Sequence, residues 1–195
     1  MNINHVKNSL TEAALALDNL LQNHAMLQKV VDAASLLVDA LKSGGRIYSC
    51  GNGGSLCDAM HFAEEMTGRY RLNRRPLAAT AISDVAHMAC VANDFGYDEV
   101  FSRYIEGCAR QGDVLLGIST SGTSKNIIKA AEVAKVLGMK VIILTGRENT
   151  PLCEMADVAI VTPGGQYADR VQELHIKIIH IFIELIERQL APENY

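Results

Sequence analysis

The sequence has no Cys-x-x-Cys pair, no run of lysines or arginines, and no apolar stretch long enough to span a bilayer. Each absence excludes something. Cys50, Cys57, Cys90, Cys108 and Cys153 are an odd number without paired spacing. They read as scattered, reduced thiols of a cytosolic chain, neither a disulfide framework nor a zinc knuckle. Lys and Arg number 18 against 22 Asp and Glu, a net charge of −4 without a run of Lys or Arg, which argues against nucleic acid or a membrane surface as partner. The longest strongly apolar uncharged stretches, such as 178–183 with His180 inside it, fall well short of the roughly 18–20 residues a spanning helix needs. Lys7, Glu12 and Asp18 interrupt the N-terminus, leaving no apolar signal core, so a cytoplasmic protein is expected. Two nucleotide-phosphate fingerprints are missing as well: no Gly-Lys-Ser/Thr, and no G-x-G-x-x-G followed about 20 residues later by an acidic residue.

The pattern that is present predicts one domain spanning 1–195. A chain of this size buries roughly 70% of its unfolded surface, so its core needs no disulfide or metal. Leu10, Ala13, Leu17, Leu20 and Leu21 recur at helical spacing, as do Leu27, Val30, Val31, Ala34, Leu37 and Leu41. Residues 1–43 are therefore expected to form two helices packed on the same domain, ended at Ser43-Gly44-Gly45. Beyond them, short apolar runs at 47–50, 78–82, 114–118, 141–144 and 158–161 alternate with helical stretches. That alternation predicts an α/β fold with a doubly wound, five-stranded parallel sheet flanked by helices. The last helix, 167–188, is apolar on two stripes. Val171, Leu174, Ile178, Phe182 and Leu185 form one, and Ile176, Ile179, Ile183 and Ile186 the other. A helix of this kind needs cover on more than one side, and a homo-oligomer is the expected source.

In a doubly wound sheet, ligands bind beyond the carboxyl ends of the strands, at helix N-termini. Two loops fall there: Cys50-Gly51-Asn52-Gly53-Gly54-Ser55 and Ser119-Thr120-Ser121-Gly122-Thr123-Ser124. Their glycines let backbone N–H groups approach an anion. Their hydroxyls and amide add donors, and the helix dipole adds partial positive charge. Such a site needs no lysine, so the acidic balance of the chain is silent on a sugar phosphate. Either loop alone is equally a turn and cap; two on one sheet favour a ligand site.

His61 and Glu65, four apart, share one helical face after the first loop. Taken alone they read as a surface pair. His180, inside Ile178-Ile-His-Ile-Phe-Ile, requires a buried partner or a function. A carboxylate and an imidazole converging beside a phosphate loop would suit general acid–base chemistry on a sugar phosphate.

With these residues in hand, the chain resembles the sugar isomerase (SIS) domain family, and within it the phosphoheptose isomerases. The motifs are SCGNGGSLCDAMHFAEEMTGRYR (49–71), AISDVAHMACVANDFGYDEVFSRY (81–104), GDVLLGISTSGTSKNIIKA (112–130) and YADRVQELHIKIIH (167–180). They reach from the first strand to the last helix. Arg75-Pro-Leu-Ala-Ala, without a further proline, and Thr162-Pro-Gly-Gly-Gln depart from common members, and neither removes a motif residue.

The resemblance implies a homotetramer that converts sedoheptulose 7-phosphate to D-glycero-D-manno-heptose 7-phosphate through an enediol or enediolate. This is the first step toward nucleotide-activated heptose for lipopolysaccharide. It implies Ser119, Thr120, Ser121 and Ser124 on the phosphate. Asn52, Gly53 and Gly54 would lie at the sugar, with Ser55 at the helix start, and Asn93, Asp94 and Gln172 would add polar contacts. Glu65 would be the base and His180 the acid. It further implies one zinc per subunit on His61, Glu65, Gln172 and His180, a nitrogen and oxygen set that the ion accepts. Two other readings compete. One is a non-catalytic SIS-domain protein that binds the bacterial replication initiator, a branch lacking part of the acid–base set. The other is an isomerase of pentose or hexosamine phosphates, whose members carry further domains.

Overall fold

The computed structural model describes residues 2–195. Asn2 caps the first helix, α1 (Ile3–Gln22), with its side chain accepting from the Asn4 N–H. Asn23 both ends α1 and caps α2 (His24–Lys42), accepting from the Met26 N–H at 3.0 Å. Asparagine suits this double duty because its short amide replaces a helix-end partner.

Five parallel strands follow: β1 (Ile47–Gly51), β2 (Ala79–Ala81), β3 (Val114–Ser119), β4 (Lys140–Thr145) and β5 (Val158–Val161). Their order across the sheet is β2-β1-β3-β4-β5. The strands alternate with α3 (Gly54–Thr67), α4 (Val85–Asp94), α5 (Ser102–Cys108), α6 (Lys125–Val136), α7 (Pro151–Met155) and α8 (Ala168–Leu190). The doubly wound architecture read from the sequence is thus observed. The second strand is shorter than its apolar run suggests, three residues at the sheet edge.

Side chains alternate across the sheet, so each strand feeds two cores. Val114, Leu116 and Ile118 join α1, α2, α3 and α8 on one face. Leu115, Val141 and Ile143 join α4, α5, α6 and α7 on the other. The order places a topological switch between β1 and β3, because the chain winds one way from β1 to β2 and the other way from β3 onward. Crevices at such switches are where doubly wound sheets bind ligands.

Both apolar stripes of α8 are largely covered within the chain: Val171, Leu174, Ile178, Ile179, Phe182, Ile183 and Ile186 are buried, against α2, α3 and α1. Cover for α8 therefore comes largely from the chain itself, where another subunit was the expected source. The exposed apolar face belongs instead to α1, where Ile3, Val6, Leu10 and Leu21 are each more than half exposed. No helix among the described residues is long and apolar enough to cross a membrane.

Candidate active site

The turn after β1 is shaped by glycine. Gly53, the residue before α3, has φ +56 and ψ −124, a backbone state that L side chains rarely adopt. At Gly54 a Cβ would lie 2.9 Å from the amide atoms of Gln172, so the start of α3 seats directly against α8. Asn52 is held between them and α6. It exchanges two amide hydrogen bonds with Asn126, at 2.9 and 2.8 Å, and its Oδ1 accepts from the Tyr97 hydroxyl at 3.0 Å.

The second loop leaves β3 beside it. The Ser119 Oγ lies 2.9 Å from the Ser124 Oγ and 3.5 Å from the Ser121 Oγ. The Ser121 Oγ accepts from the Thr123 N–H at 3.2 Å. Ser124 precedes α6 without using its side chain as a cap. Hydroxyls are thus gathered where the first N–H groups of α6 lack intrahelical acceptors, the requirement for binding an anion without a cation. A cavity of about 280 Å³ opens alongside, lined by Thr120, Ser121, Gly146, Arg147, Tyr167 and Ala168 among others.

The imidazole–carboxylate cluster joins α3 to α8. His61 and His180, 119 residues apart, face each other with Nε2 atoms 2.9 Å apart. The Glu65 Oε1 is 3.8 Å from the same His61 nitrogen, and the Glu64 Oε1 is 3.0 Å from the opposite one, Nδ1. With Glu64 accepting the Nδ1–H, the His61 Nε2 carries a lone pair and accepts from His180. A carboxylate fixing the far nitrogen of an imidazole is how metal-binding histidines are oriented. Ligand atoms of His61, Glu64 and Glu65 all lie within 4.8 Å of one another. The imidazole nitrogens and the carboxylate fit zinc in kind, and the Gln172 carboxamide lies against Gly54 at the start of the same helix, α3. The Tyr70 ring covers His180 at 5.8 Å between centroids.

The two reacting candidates are shifted in opposite directions. Burial, then the neighbouring Glu64 carboxylate, raises the Glu65 pKa. Burial comes first in lowering that of His180, followed by His61 in its protonated form and the Lys177 charge. A carboxylate moved up and an imidazole moved down come closer in proton affinity, which suits passing protons at neutral pH.

The structure therefore brings together Asn52, Gly53, Gly54 and Gln172 at one point, His61, Glu65 and His180 at a second, and the four hydroxyl residues at a third. Ser55 is buried behind the turn. Asn93 and Asp94 end α4 and bond to each other at 2.7 Å. Among the described residues, no hydrogen bond links them to the other candidates. Three further residues join the site. Glu64 was signalled only by adjacency to Glu65. Asn126, nearly fully buried at the first turn of α6, was signalled by an amide just after the hydroxyl loop. Tyr97, 45 residues from Asn52, had no local signal.

Residues 11–146 match the family model described as SIS domain, and the chain belongs to that family. Among curated relatives, the phosphoheptose isomerase of Klebsiella pneumoniae subsp. pneumoniae is 59% identical over 186 residues, covering 95% of this chain and 96% of the relative. That of Pectobacterium atrosepticum is 58% identical over 188 residues, covering 96% and 97%. Among solved structures, the phosphoheptose isomerase of Neisseria gonorrhoeae superposes with a TM-score of 0.87 at 39% identity, covering 94% of this chain and 97% of that one. The enzyme from Francisella tularensis gives 0.90 at 30% identity, covering 96% and 100%.

Proposed function

We propose that the chain is a phosphoheptose isomerase, converting sedoheptulose 7-phosphate to D-glycero-D-manno-heptose 7-phosphate as the first step of nucleotide-activated heptose synthesis for lipopolysaccharide. One observation carries the reading beyond the kinship. Glu65 and His180 meet around His61 in a chain whose β1 and β3 loops, at the sheet's switch point, gather phosphate-type donors.

The chemistry follows from the groups. The β3 loop and the N-terminus of α6 hold the phosphate, and that remote binding positions C1 and C2. Glu65 takes the proton from C1, the C1–H electrons form the C1=C2 bond, and the C2 carbonyl oxygen takes a proton from the His180 Nε2–H. The resulting enediol then gives its O1 proton back to His180. As C1=O forms, C2 receives the proton held by Glu65. Burial serves both residues by strengthening their interaction with charge developing on the substrate. His61, Glu65, Gln172 and His180 would hold one zinc per subunit; an ion there would supply Lewis-acid polarisation of a substrate oxygen, and would engage the Glu65 carboxylate and a His180 nitrogen that the proton transfers otherwise use. The exposed apolar face of α1 supports assembly as a homotetramer, and a biosynthetic role on a soluble sugar phosphate fits the cytoplasm. The replication-initiator reading is not favoured, because the acid–base set is complete.

Incubation with sedoheptulose 7-phosphate in deuterated water tests the proposal. Aldose is expected, with solvent deuterium at C2 in the fraction of turnovers in which the proton held by Glu65 exchanges with solvent before it is returned. No turnover by the assembled protein, with or without added zinc, overturns it.

A further inference from the structure

Resting on the assignment of Glu65 and His180 above, we infer that the segment linking α3 to β2 is a strut that sets the spacing of these two groups, with Arg74 and Glu187 as positioning residues. The strut follows from three contacts made by residues 70–74 along α8. The Tyr70 ring lies against His180. Arg71 pairs with Glu184 at 2.8 Å. Arg74 pairs with Glu187 through its Nε–H at 2.8 Å. Positions 180, 184 and 187 recur at the spacing of one helical face, so a short segment grips about 10 Å of α8.

Arg74 also grips the other helix. Its Nη2 donates to the Glu65 carbonyl at 2.7 Å and its Nη1 to the Met66 carbonyl at 2.8 Å. These carbonyls belong to the last turn of α3, where intrahelical donors run out. One guanidinium thus binds the backbone of the proposed base and, on its third edge, the helix that carries the proposed acid. Five N–H donors in a fixed fork make arginine the side chain able to do this; an ammonium has no such fixed geometry. The pair is dry: the Arg74 side chain is 2% exposed and that of Glu187 0%. The Tyr195 hydroxyl donates to the remaining Glu187 oxygen at 2.9 Å and completes the network.

A buried ion pair is weak evidence for stability, since a well-packed apolar replacement is often as good. Fixed geometry is a reason for such a pair here, because Glu65 must reach two adjacent carbons while His180 reaches their oxygens.

Arg74→Lys keeps the charge and loses the fork. It is expected to lower kcat at least tenfold with KM for sedoheptulose 7-phosphate within twofold. The isotope effect with C1-deuterated substrate should rise, because proton transfer becomes slower. Tyr195→Phe leaves both carbonyl caps in place and frees one Glu187 oxygen. A two- to fivefold fall in kcat at constant KM is expected, and this variant decides the matter if Arg74→Lys does not fold. Wild-type kcat in the folded variants, or equal changes in kcat and KM without a change in isotope effect, overturns the strut. Glu65→Gln run alongside separates the two levels. If it is inactive while Arg74→Lys is fully active, only the strut falls. If Glu65→Gln is fully active, the assigned base falls and the strut with it.

Discussion

The two ends of the candidate site are built in opposite ways. The phosphate end is six consecutive residues, Ser119 to Ser124, on one loop, and none of them titrates. The acid–base end draws on two helices whose contacting histidines are 119 residues apart, and every one of its groups titrates. A local, neutral device can be specified by the turn that makes it. A dispersed, ionisable one depends on tertiary packing, on burial and on whatever holds α3 against α8. The neutral end should govern affinity and resist pH. The other should govern turnover and be the more fragile.

The largest separation of the two ends is expected from Glu65→Gln. The substitution preserves shape and removes the proton acceptor, and positioned acid–base groups typically contribute 10²–10⁴-fold. A fall in kcat of about a thousandfold is expected, with substrate affinity by calorimetry within a few-fold of wild type. A variant whose affinity collapses instead would merge the two ends into one.

The pH contrast rests on His175, which lies in α8 between Gln172 and His180. It is wholly buried, and among the described residues neither ring nitrogen has a partner in good hydrogen-bond geometry, the Thr145 backbone being close enough only for a weak contact. Burial pushes its pKa down to about 4, against a smaller upward pull from the Thr145 backbone. The unfolded chain binds a proton there near 6.5 and the folded chain does not. Stability is therefore intact above pH 6.5 and is lost as pH falls toward about 4. At 1.36 kcal/mol per pKa unit, His175 accounts for about 2–3 kcal/mol of loss between pH 7 and 4.5. Urea unfolding of His175→Leu should show a pH dependence shallower by that amount. Equal slopes in variant and wild type would assign the acid sensitivity elsewhere.

Ser124→Ala probes the neutral end. A hydrogen bond to a charged group is worth about 1.5–3 kcal/mol, so kcat/KM should fall roughly ten- to a hundredfold, mostly through KM. The size of the effect should be flat from pH 6.5 to 8 apart from titration of the substrate phosphate. A matching loss in kcat would show that phosphate binding is felt at C1 and C2 more strongly than the division between the two ends allows.

The same contrast explains what the sequence made legible. The sheet could be read because each buried strand is a continuous apolar run. The hydroxyl loop could be read because glycine and serine between a strand and a helix have few other uses. His61 and Glu65 were placed on one face by spacing alone, and the structure puts them 3.8 Å apart. That His180 would meet them followed from family resemblance, since no periodicity relates residue 61 to residue 180. Arg74 carries no signal in the local sequence, and only the tertiary structure places its head group on two helices. The two stripes of α8 were visible, but what covers them was not. The chain's own α2 and α3 do most of that work, and α1 is left with the exposed apolar face.

Tyr97→Phe should give the smallest effect and places the boundary between the two ends most finely. Asn52 sits where the ends meet, its amide oriented by two bonds to Asn126 and one from the Tyr97 hydroxyl. Asn126 is itself fixed, its Oδ1 accepting from the Ile127 N–H at 3.0 Å, so the Asn52 amide keeps its orientation when the phenol is lost. Tyr97 is half exposed, and water replaces its hydroxyl on the Asn52 Oδ1. One neutral hydrogen bond exchanged for water is worth about 0.5–1 kcal/mol, a two- to fivefold change. On the proposed placement of Asn52 at the sugar rather than at the phosphate, that change should appear in kcat, with KM constant. A change confined to KM would move Asn52 to the binding end of the site and leave turnover to the α3–α8 cluster alone.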